Sequence, residues 1–261
     1  MRIPSIYHLI RFCAEGKLRH EPFSLTSYLA IASCVKVNRP ALIRFYFDEE
    51  PWGVWWELAR PHLELVPMRA PREIRGRALG REAHQSDAAR LEILLDHGGI
   101  YLDLDVICLR PFLPLQNESV VMGEEQGVGL CNAVILARKG APFLRRWLDA
   151  YADFDKEDWN THSVRLPALL AREQPGEVKV LDDHRFFWPM YWPQHLEKFF
   201  RGKESSFCSD SYCVHLWSSL SHEYLDEITP RTIWEKESEF CVLARRFLDR
   251  VLAYAATDEI R

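Results

Sequence analysis

The 261-residue sequence lacks several features that mark specialised classes of protein. No uninterrupted run of about 18 apolar residues occurs, so we expect no membrane-spanning helix. Positive charge is not in excess, because 33 Lys and Arg stand against 38 Asp and Glu, and the net charge of −5 argues against a nucleic-acid-binding protein. Internal repeats, low-complexity tracts and linker-like segments are also missing, which favours a single domain over 1–261.

Cysteine is sparse and irregularly placed. The seven cysteines are odd in number, and none forms a Cys-x-x-Cys pair. Several lie in apolar runs, as Cys108 does in Val106–Leu109. This distribution argues against a zinc site, a redox motif or a disulfide framework, and it predicts reduced, mostly buried thiols in a cytoplasmic protein. The first ten residues lack the long apolar core of a secretory signal and are expected to form a strand.

Apolar residues, at 48% of the chain, are sufficient for a large core, and their periodicity predicts strands alternating with helices. Strands are predicted at 6–10, 41–47, 63–66, 100–109, 133–137, 178–181 and 212–216. Helices are predicted from a cap at Ser24 or Thr26, and at 52–60, 142–151, 163–172 and, as a final amphipathic helix, 231–255. The alternation favours an α/β fold in which helices cover both faces of a sheet.

Arginine is concentrated in one connector, where five arginines lie between Arg69 and Arg81. One interpretation is a solvated loop. The other is a flap that attracts phosphates or an anionic membrane surface, which would give peripheral membrane contact. The sequence leaves both open.

Asp103 and Asp105, separated by one leucine, form the candidate metal site. A helix predicted to start at Ser86 ends at the glycine pair 98–99, and the strand 100–109 follows. Residues i and i+2 of an extended chain face the same side, so both carboxylates can converge on one ion. Hard oxygen ligands suit Mn²⁺ or Mg²⁺, which could bridge a diphosphate. The alternative is an exposed turn without an ion.

Three further polar residues lie in suggestive places. Asp87 and Arg90 share a helix face, and a carboxylate beside a guanidinium suits sugar hydroxyls, although a routine surface ion pair has the same spacing. His215 lies in an apolar run, where a neutral imidazole could complete a manganese site with the two aspartates. Its alternative is a hydrogen-bonded core histidine.

The stretch from His84 to Asp105 resembles the DXD sugar-binding region of family 32 glycosyltransferases, a group that includes fungal Golgi mannosyltransferases and α-1,4-galactosyltransferases. It has the serine-aspartate helix start, the arginine three residues later, the glycine pair and the two aspartates at a fixed distance. Three other segments are similar to parts of the family, namely Ile3–His8, where Ser5 replaces the usual lysine, Cys131–Val134 and Val214–Trp217.

The resemblance implies a GT-A fold, a Rossmann-like αβα sandwich with a mixed central sheet, as a single glycosyltransferase domain. It implies a divalent cofactor, Mn²⁺ or Mg²⁺, held by Asp103, Asp105 and His215. It assigns donor binding to His8, Asp87, Arg90, Asp103, Asn132 and Trp217. It assigns catalysis to Asp103, Asp105 and Asn132.

The activity implied is that of a metal-dependent, retaining hexosyltransferase of polysaccharide biosynthesis. A UDP-sugar is the favoured donor, and a glycan, a lipid-linked glycan or a protein is the acceptor. The family's Thr-Gly-Pro segment is replaced here by Trp159–Ser163, so the acceptor-activating group is not predicted. Since no carboxylate nucleophile is evident, we hypothesise a front-face mechanism in which the leaving phosphate takes the acceptor proton. The aromatic segment 186–193 belongs either to the core or to an acceptor-stacking surface.

Two other functions stay open at the level of sequence. A HAD-type phosphatase also uses two aspartates separated by one residue, but normally on the first strand. A non-catalytic sugar-nucleotide-binding protein would keep the same fold and the same ligands.

Overall fold

The computed structural model describes residues 2–13, 21–158, 160–203 and 208–251. The strands are β1 (Ile6–Arg11), β2 (Leu42–Phe47), β3 (Glu64–Pro67), β4 (Glu73–Ile74), β5 (Arg77–Ala78), β6 (Gly99–Leu102), β7 (Val106–Cys108), β8 (Val120–Glu125), β9 (Gly129–Ala137), β10 (Val178–Leu181) and β11 (Cys213–His215). The α-helices are α1 (Leu25–Asn38), α2 (Val54–Ala59), α3 (Glu82–His97), α4 (Pro142–Asp149), α5 (Leu166–Glu173), α6 (Asp183–Phe186), α7 (Pro193–Arg201), α8 (Ser218–Leu225), α9 (Pro230–Glu235) and α10 (Glu239–Ala244).

Seven strands form the central sheet, in the order β10-β8-β9-β6-β1-β2-β3. β9 runs antiparallel to its neighbours β6 and β8, whereas the other pairs are parallel, which confirms the mixed sheet. The chain passes from β1 to β2 and β3, then returns to the other side of β1 with β6. The strand order therefore reverses between β1 and β6. Open α/β sheets bind ligands at the carboxyl ends of the strands beside such a reversal.

Apolar side chains fill both sides of this sheet. Successive residues of β2 point to opposite faces, so Phe45 belongs to one buried cluster and Tyr46 to the other. Trp56 of α2 lies in the first cluster, with Leu29 of α1. Trp147 of α4 lies in the second, with buried residues of α3 and α5. Helices thus cover both faces, and the predicted αβα sandwich is confirmed.

The strand predicted at 100–109 is interrupted at the aspartate pair. β6 ends at Leu102 and β7 begins at Val106, whose backbone N–H donates to the carbonyl oxygen of Asp103 at 3.1 Å. This turn lets β7 leave the central sheet and pair antiparallel with β11. Asp103 and Asp105 therefore lie in a turn, and the expectation that they converge by strand alternation is wrong.

Helix α3 begins one turn earlier than predicted. Its first residue is Glu82, which follows the extended Arg81, and Ser86 lies inside the helix rather than at its cap. An acidic residue in the first turn interacts favourably with the helix dipole, which suits the earlier start.

The helix predicted at 231–255 is wrong as a single element. Its described part is divided between α9 and α10, because the backbone of Lys236 is extended and Ser238 starts a new helix by accepting a hydrogen bond from the N–H of Cys241. Residues 252–255 lie outside the described part of the chain. None of the helices in the described ranges is long and apolar enough to cross a membrane.

Candidate active site

A cleft of about 710 Å³ opens at the carboxyl end of β6, beside the reversal of strand order. Polar side chains from distant parts of the sequence line it, namely His84, Asp87, Arg90, Asp103, Asp105, Glu125, Asn132, Asn160, Ser163, His215, Ser218 and Ser219. Asn160 and Ser163 come from the segment that departs from the family pattern, and Trp159 lies outside the described residues. Most of the predicted site residues therefore meet in this one cleft.

Asp103, Asp105 and His215 come together as a cluster, with ligand atoms that all lie within 4.8 Å of one another. His215 is brought there by the pairing of β11 with β7, in which it lies opposite Val106. Its Nε2 is 3.1 Å from Oδ1 of Asp105, and the Ser218 N–H donates to Oδ2 at 2.9 Å. Two carboxylates and an imidazole are a donor set that fits Mn²⁺, and with more water Mg²⁺.

The electrostatics of the cluster also suit a cation. Burial alone would raise the pKa of Asp105, but the charge and hydrogen bond of His215, together with Ser218, lower it to about 2. Burial lowers the pKa of His215, yet Asp105, Asp103 and Glu125 outweigh this effect and raise it. The negative potential that holds a proton on the imidazole would equally stabilise a divalent ion.

Asp87, Arg90 and Asn132 form a second group, which adjoins the first at Asp103. The Asn132 side-chain amide donates to Oδ1 of Asp87 at 2.7 Å, and Arg90 donates to the Asn132 carbonyl at 2.9 Å. Nη2 of Arg90 lies 3.2 Å from Asp87 Oδ1 and 3.4 Å from Asp103 Oδ1. The hydroxyl of Tyr101 donates to Asp103 at 2.5 Å, and the Arg90 guanidinium lies over the Tyr101 ring. The side chains are thus held in one arrangement.

His8 does not line the cleft, so its predicted contact with the donor is wrong. The residue is fully buried at the middle of the sheet, with Nδ1 3.1 Å from the Tyr46 hydroxyl and Nε2 2.9 Å from the Gly98 carbonyl. Burial lowers its pKa to about 4, so the imidazole is neutral. His8 is a hydrogen-bonded core residue.

Trp217 forms one wall of the cleft. Its ring lies 4.2 Å from the His215 ring, and its indole N–H donates to the Pro189 carbonyl at 2.9 Å. Tyr191 packs edge-on against it at 5.1 Å and also lines the cleft. Of the aromatic segment 186–193, only Tyr191 lines the cleft among the described residues, and its stacking on an acceptor stays a prediction. Phe186, Phe187 and Met190 are core residues, whereas Trp188, Tyr191 and Trp192 are half-buried.

Glu125 is a cleft residue that the sequence did not predict. It ends β8, a strand whose apolar run Val120–Met122 is too short to stand out before the polar residues that follow. The run Val120–Met122, which pairs with the predicted strand at 133–137, is the sequence signal that could have located Glu125.

The arginine-rich segment is structured, because β4 and β5 form a hairpin within it. Arg75 pairs with Asp149, and Arg77 donates to the Ala152 carbonyl. The other three arginines border a cavity of about 960 Å³ at the carboxyl ends of β1 and β2, together with Cys13, Asp48 and Gln85. The segment is therefore a structured hairpin with solvent-exposed arginines rather than an irregular loop, and its contact with phosphates or a membrane stays a prediction.

Known proteins resemble this chain in sequence and in fold. Residues 36–122 match the family "Glycosyltransferase sugar-binding region containing DXD motif". The chain is 36% identical over 262 residues to Glucan organizing enzyme 1 of Cryptococcus neoformans var. grubii, covering 95% of this chain and 71% of that protein. It is 23% identical over 230 residues to the lactosylceramide 4-alpha-galactosyltransferase of Mus musculus, covering 82% and 59%.

Among solved structures, the glycosyltransferase GlyE of Streptococcus pneumoniae TIGR4 has a TM-score of 0.51 at 11% identity, over 98% of this chain and 64% of that one, which bears on the fold alone. The phosphatase alternative is not supported, since the aspartate pair follows β6 rather than β1, the matching family is one of glycosyltransferases, and the mouse relative is a galactosyltransferase. The chain belongs to the glycosyltransferases with a DXD sugar-binding region, which include the family 32 enzymes, and it is a transferase with the GT-A fold.

Proposed function

We propose that this glycosyltransferase is metal-dependent and retaining, and that it moves a hexose from a UDP-sugar to a hydroxyl of a glycan, glycolipid or protein in polysaccharide biosynthesis. The observation that carries the proposal is the meeting in one cleft of the Asp103–Asp105–His215 cluster with the Asp87–Arg90–Asn132 group. The names of the two relatives, a glucan organizing enzyme and a lactosylceramide galactosyltransferase, favour a glycan or glycolipid acceptor.

Asp103, Asp105 and His215 would hold the Mn²⁺ or Mg²⁺. When bound, such an ion stabilises the charge that develops on the nucleotide diphosphate. The chain prepares this site in advance, because Tyr101 and Arg90 fix Asp103 while Ser218 fixes Asp105. Preorganised ligands do not have to be reoriented when the substrate arrives.

The transferred sugar would lie against Asp87 and Asn132. Arg90 and the Asn132 amide both contact Oδ1 of Asp87, and no described residue donates a hydrogen bond to Oδ2, so Oδ2 is available to a sugar hydroxyl. A carboxylate oxygen accepts such a hydrogen bond well. Asn132 would contact the sugar from the amino-terminal half of β9.

The nucleotide would occupy the cavity of about 960 Å³ bordered by Arg69, Arg72 and Arg81. This cavity meets the cleft along α3, since Gln85 borders the first and His84 the second. Guanidinium groups bind phosphate oxygens well. We also propose a cytoplasmic location, with peripheral membrane contact through the same arginine-rich segment.

Retention would follow the front-face route, in which the acceptor oxygen attacks the anomeric carbon as the bond to the diphosphate breaks. The electrons of that bond remain on the diphosphate, and its leaving oxygen takes the acceptor proton. Trp217 and Tyr191 would exclude water from one side of the reacting centre.

The test is a titration of UDP- and GDP-sugars into the protein, with Mn²⁺ or with chelator. The heat of binding and the release of free nucleotide are measured. We expect one UDP-sugar to bind with Mn²⁺ and to be hydrolysed slowly. Asp105→Asn should weaken donor binding by roughly tenfold or more, because it removes a charged ligand. The control variant is Asp226→Asn, at an exposed residue that follows α8, and it should bind the donor as tightly as wild type does.

If no donor binds under any condition, the proposal fails. Metal-dependent binding with neither transfer nor hydrolysis would instead favour a non-catalytic sugar-nucleotide-binding protein.

A further inference from the structure

Glu125 is a cleft carboxylate that has no role in the proposed function. Among the described residues that line the cleft, the acidic side chains are Asp87, Asp103, Asp105 and Glu125. Asp87 belongs to the proposed sugar-binding group with Arg90 and Asn132. Asp103 and Asp105 belong to the metal cluster, which does not include Glu125. Glu125 is only 6% exposed, and no Lys or Arg of the described ranges forms an ion pair with it. The charge of His215 stabilises the Glu125 carboxylate, but His215 pairs directly with Asp105. A buried carboxylate without a directly paired cation of its own is costly, which indicates a ligand.

The backbone fixes where this carboxylate lies. Glu125 pairs with Gly129 across the β8–β9 hairpin, and the N–H of Val128 donates to its carbonyl at 2.9 Å. A Cβ at Gly129 would lie 2.3 Å from the carbonyl oxygen of Val164, so the hairpin packs directly on the segment that brings Ser163 to the cleft. The hairpin therefore has little freedom to move the carboxylate away.

The surroundings of Glu125 suit a sugar hydroxyl. Burial raises the pKa of Glu125, while the charge of His215 and the neighbouring Cys131 thiol oppose that effect. The charge of Glu125 is near enough to Tyr191 to contribute, after burial, to the raised pKa of that phenol. Tyr191 and Trp217 present aromatic surface beside it. Sugars bind through such combinations, because a carboxylate accepts hydrogen bonds from hydroxyls while aromatic rings cover apolar C–H groups.

Glu125 borders a second cavity as well as the cleft. That cavity, of about 720 Å³, lies between the hairpin and α5 and is bordered by Gln126 and Arg172 as well as Glu125. The donor groups on α3 and β6 occupy the other part of the cleft. A glycan whose terminal sugar reaches Glu125 therefore has space for further units away from the donor.

We infer that Glu125 is an acceptor-binding residue, whose carboxylate accepts a hydrogen bond from a hydroxyl of a neutral hexose and orients that sugar toward the donor held by Asp87 and Arg90. The inference rests on the proposed function of the cleft. An acidic acceptor is disfavoured, since Glu125 and its neighbouring carboxylates would repel it.

The experiment compares wild type, Glu125→Ala and Glu125→Gln with the control Glu118→Gln, an exposed residue before β8. Donor and Mn²⁺ binding are measured by calorimetry. Nucleotide release is then followed without acceptor, and with the methyl α- and β-glycosides of glucose, galactose and mannose. Urea unfolding verifies that each variant is folded.

We expect the acceptor KM to change far more than donor binding, Mn²⁺ affinity or acceptor-free hydrolysis. These three should fall only slightly in the Glu125 variants, because Glu125 contributes negative potential at His215, and they should match wild type in Glu118→Gln. The acceptor KM should rise about 10- to 100-fold in Glu125→Ala, as for the loss of a hydrogen bond to a charged group. The rise should be smaller in Glu125→Gln, whose amide oxygen still accepts a hydrogen bond, and absent in Glu118→Gln.

Other results would overturn the inference. A loss of acceptor-free hydrolysis as large as the loss of transfer would mean that Glu125 acts on the donor. A loss of Mn²⁺ affinity as large as the rise in acceptor KM would make Glu125 a metal ligand. An unchanged acceptor KM, or a wild-type enzyme for which no glycoside raises nucleotide release, would remove the acceptor role while leaving the donor site intact. Failure of wild type to bind any donor would overturn the proposed function as well.

Discussion

The variant Arg90→Met should lower the free energy of unfolding by about 3–5 kcal/mol, because it leaves buried negative charge without its cation. Arg90 is 4% exposed. It donates to the Asn132 carbonyl at 2.9 Å and lies 3.2 Å from Asp87 and 3.4 Å from Asp103. Methionine is nearly as long and is flexible, so it should fill most of the space, and the loss reports charge rather than a cavity.

Most of this cost should come from Asp87, whose side chain is 11% exposed. Burial already raises the pKa of Asp87 while Arg90 and Asn132 oppose that effect, so removing Arg90 should raise it further. An acid with a higher pKa in the folded than in the unfolded state loses stability as the pH rises through that interval. The cost of Arg90→Met should therefore be largest near pH 8 and shrink toward pH 5. Adding Asp87→Asn to this variant should restore part of the lost free energy of unfolding.

Urea unfolding, followed by tryptophan fluorescence at the two pH values, measures these differences. Arg231→Met is the matched control, since Arg231 makes an exposed ion pair with Glu235 and its loss should cost less than about 0.5 kcal/mol. The reasoning is refuted if Arg90→Met costs under about 1 kcal/mol, or if its cost does not depend on pH.

Two other predictions concern the region where β1 meets β6. The free energy of unfolding should fall by on the order of 3 kcal/mol as the pH drops from about 6.5 toward 4, because burial holds the pKa of His8 near 4 and only the unfolded chain takes up the proton. In His8→Gln, the urea midpoint should depend less on pH over this range. An equally steep dependence in the variant would contradict the assignment to His8. Gly99→Ala should cost at least about 2 kcal/mol, since Gly99 has φ +118° and a Cβ would lie 2.4 Å from the Ile6 carbonyl oxygen. Gly176→Ala, with open space around the glycine, is its control in thermal unfolding, and equal losses in both would contradict the steric argument.

The strands that the sequence predicted well are those whose own residues determine them. The runs at 41–47, 63–66 and 178–181 coincide with β2, β3 and β10 to within a residue, because a short apolar run between turn residues has few alternatives. β8 was missed, since its apolar part is brief and its conformation depends on pairing with β9 and β10. The break between β6 and β7 was missed for the same reason, because it depends on pairing with β11.

The candidate site divides in the same way. Asp87 and Arg90 could be associated from their spacing alone, since residues three apart on a helix are neighbours. His215 could be connected to the aspartates only through the family resemblance, because the strand pairing that unites them is long-range. His8 and Glu125 could not be placed, since the face and end of a strand that reach a cleft depend on sheet order. Local spacing therefore predicts pairs of residues, whereas the cleft itself is a property of the topology.

The turn at the aspartate pair explains how one short motif can serve two parts of the cleft. A continuous strand would place both carboxylates on one face in similar surroundings. The turn instead gives them different partners, since Asp103 contacts Tyr101 and Arg90 while Asp105 contacts His215 and Ser218. Asp103 thus contacts the central sheet and α3, and Asp105 contacts the β11 side of the smaller sheet. Under the proposed function, an ion held by both aspartates would link the two sheets where the donor's diphosphate would lie. The interruption of the strand, rather than its continuity, therefore suits the proposed chemistry.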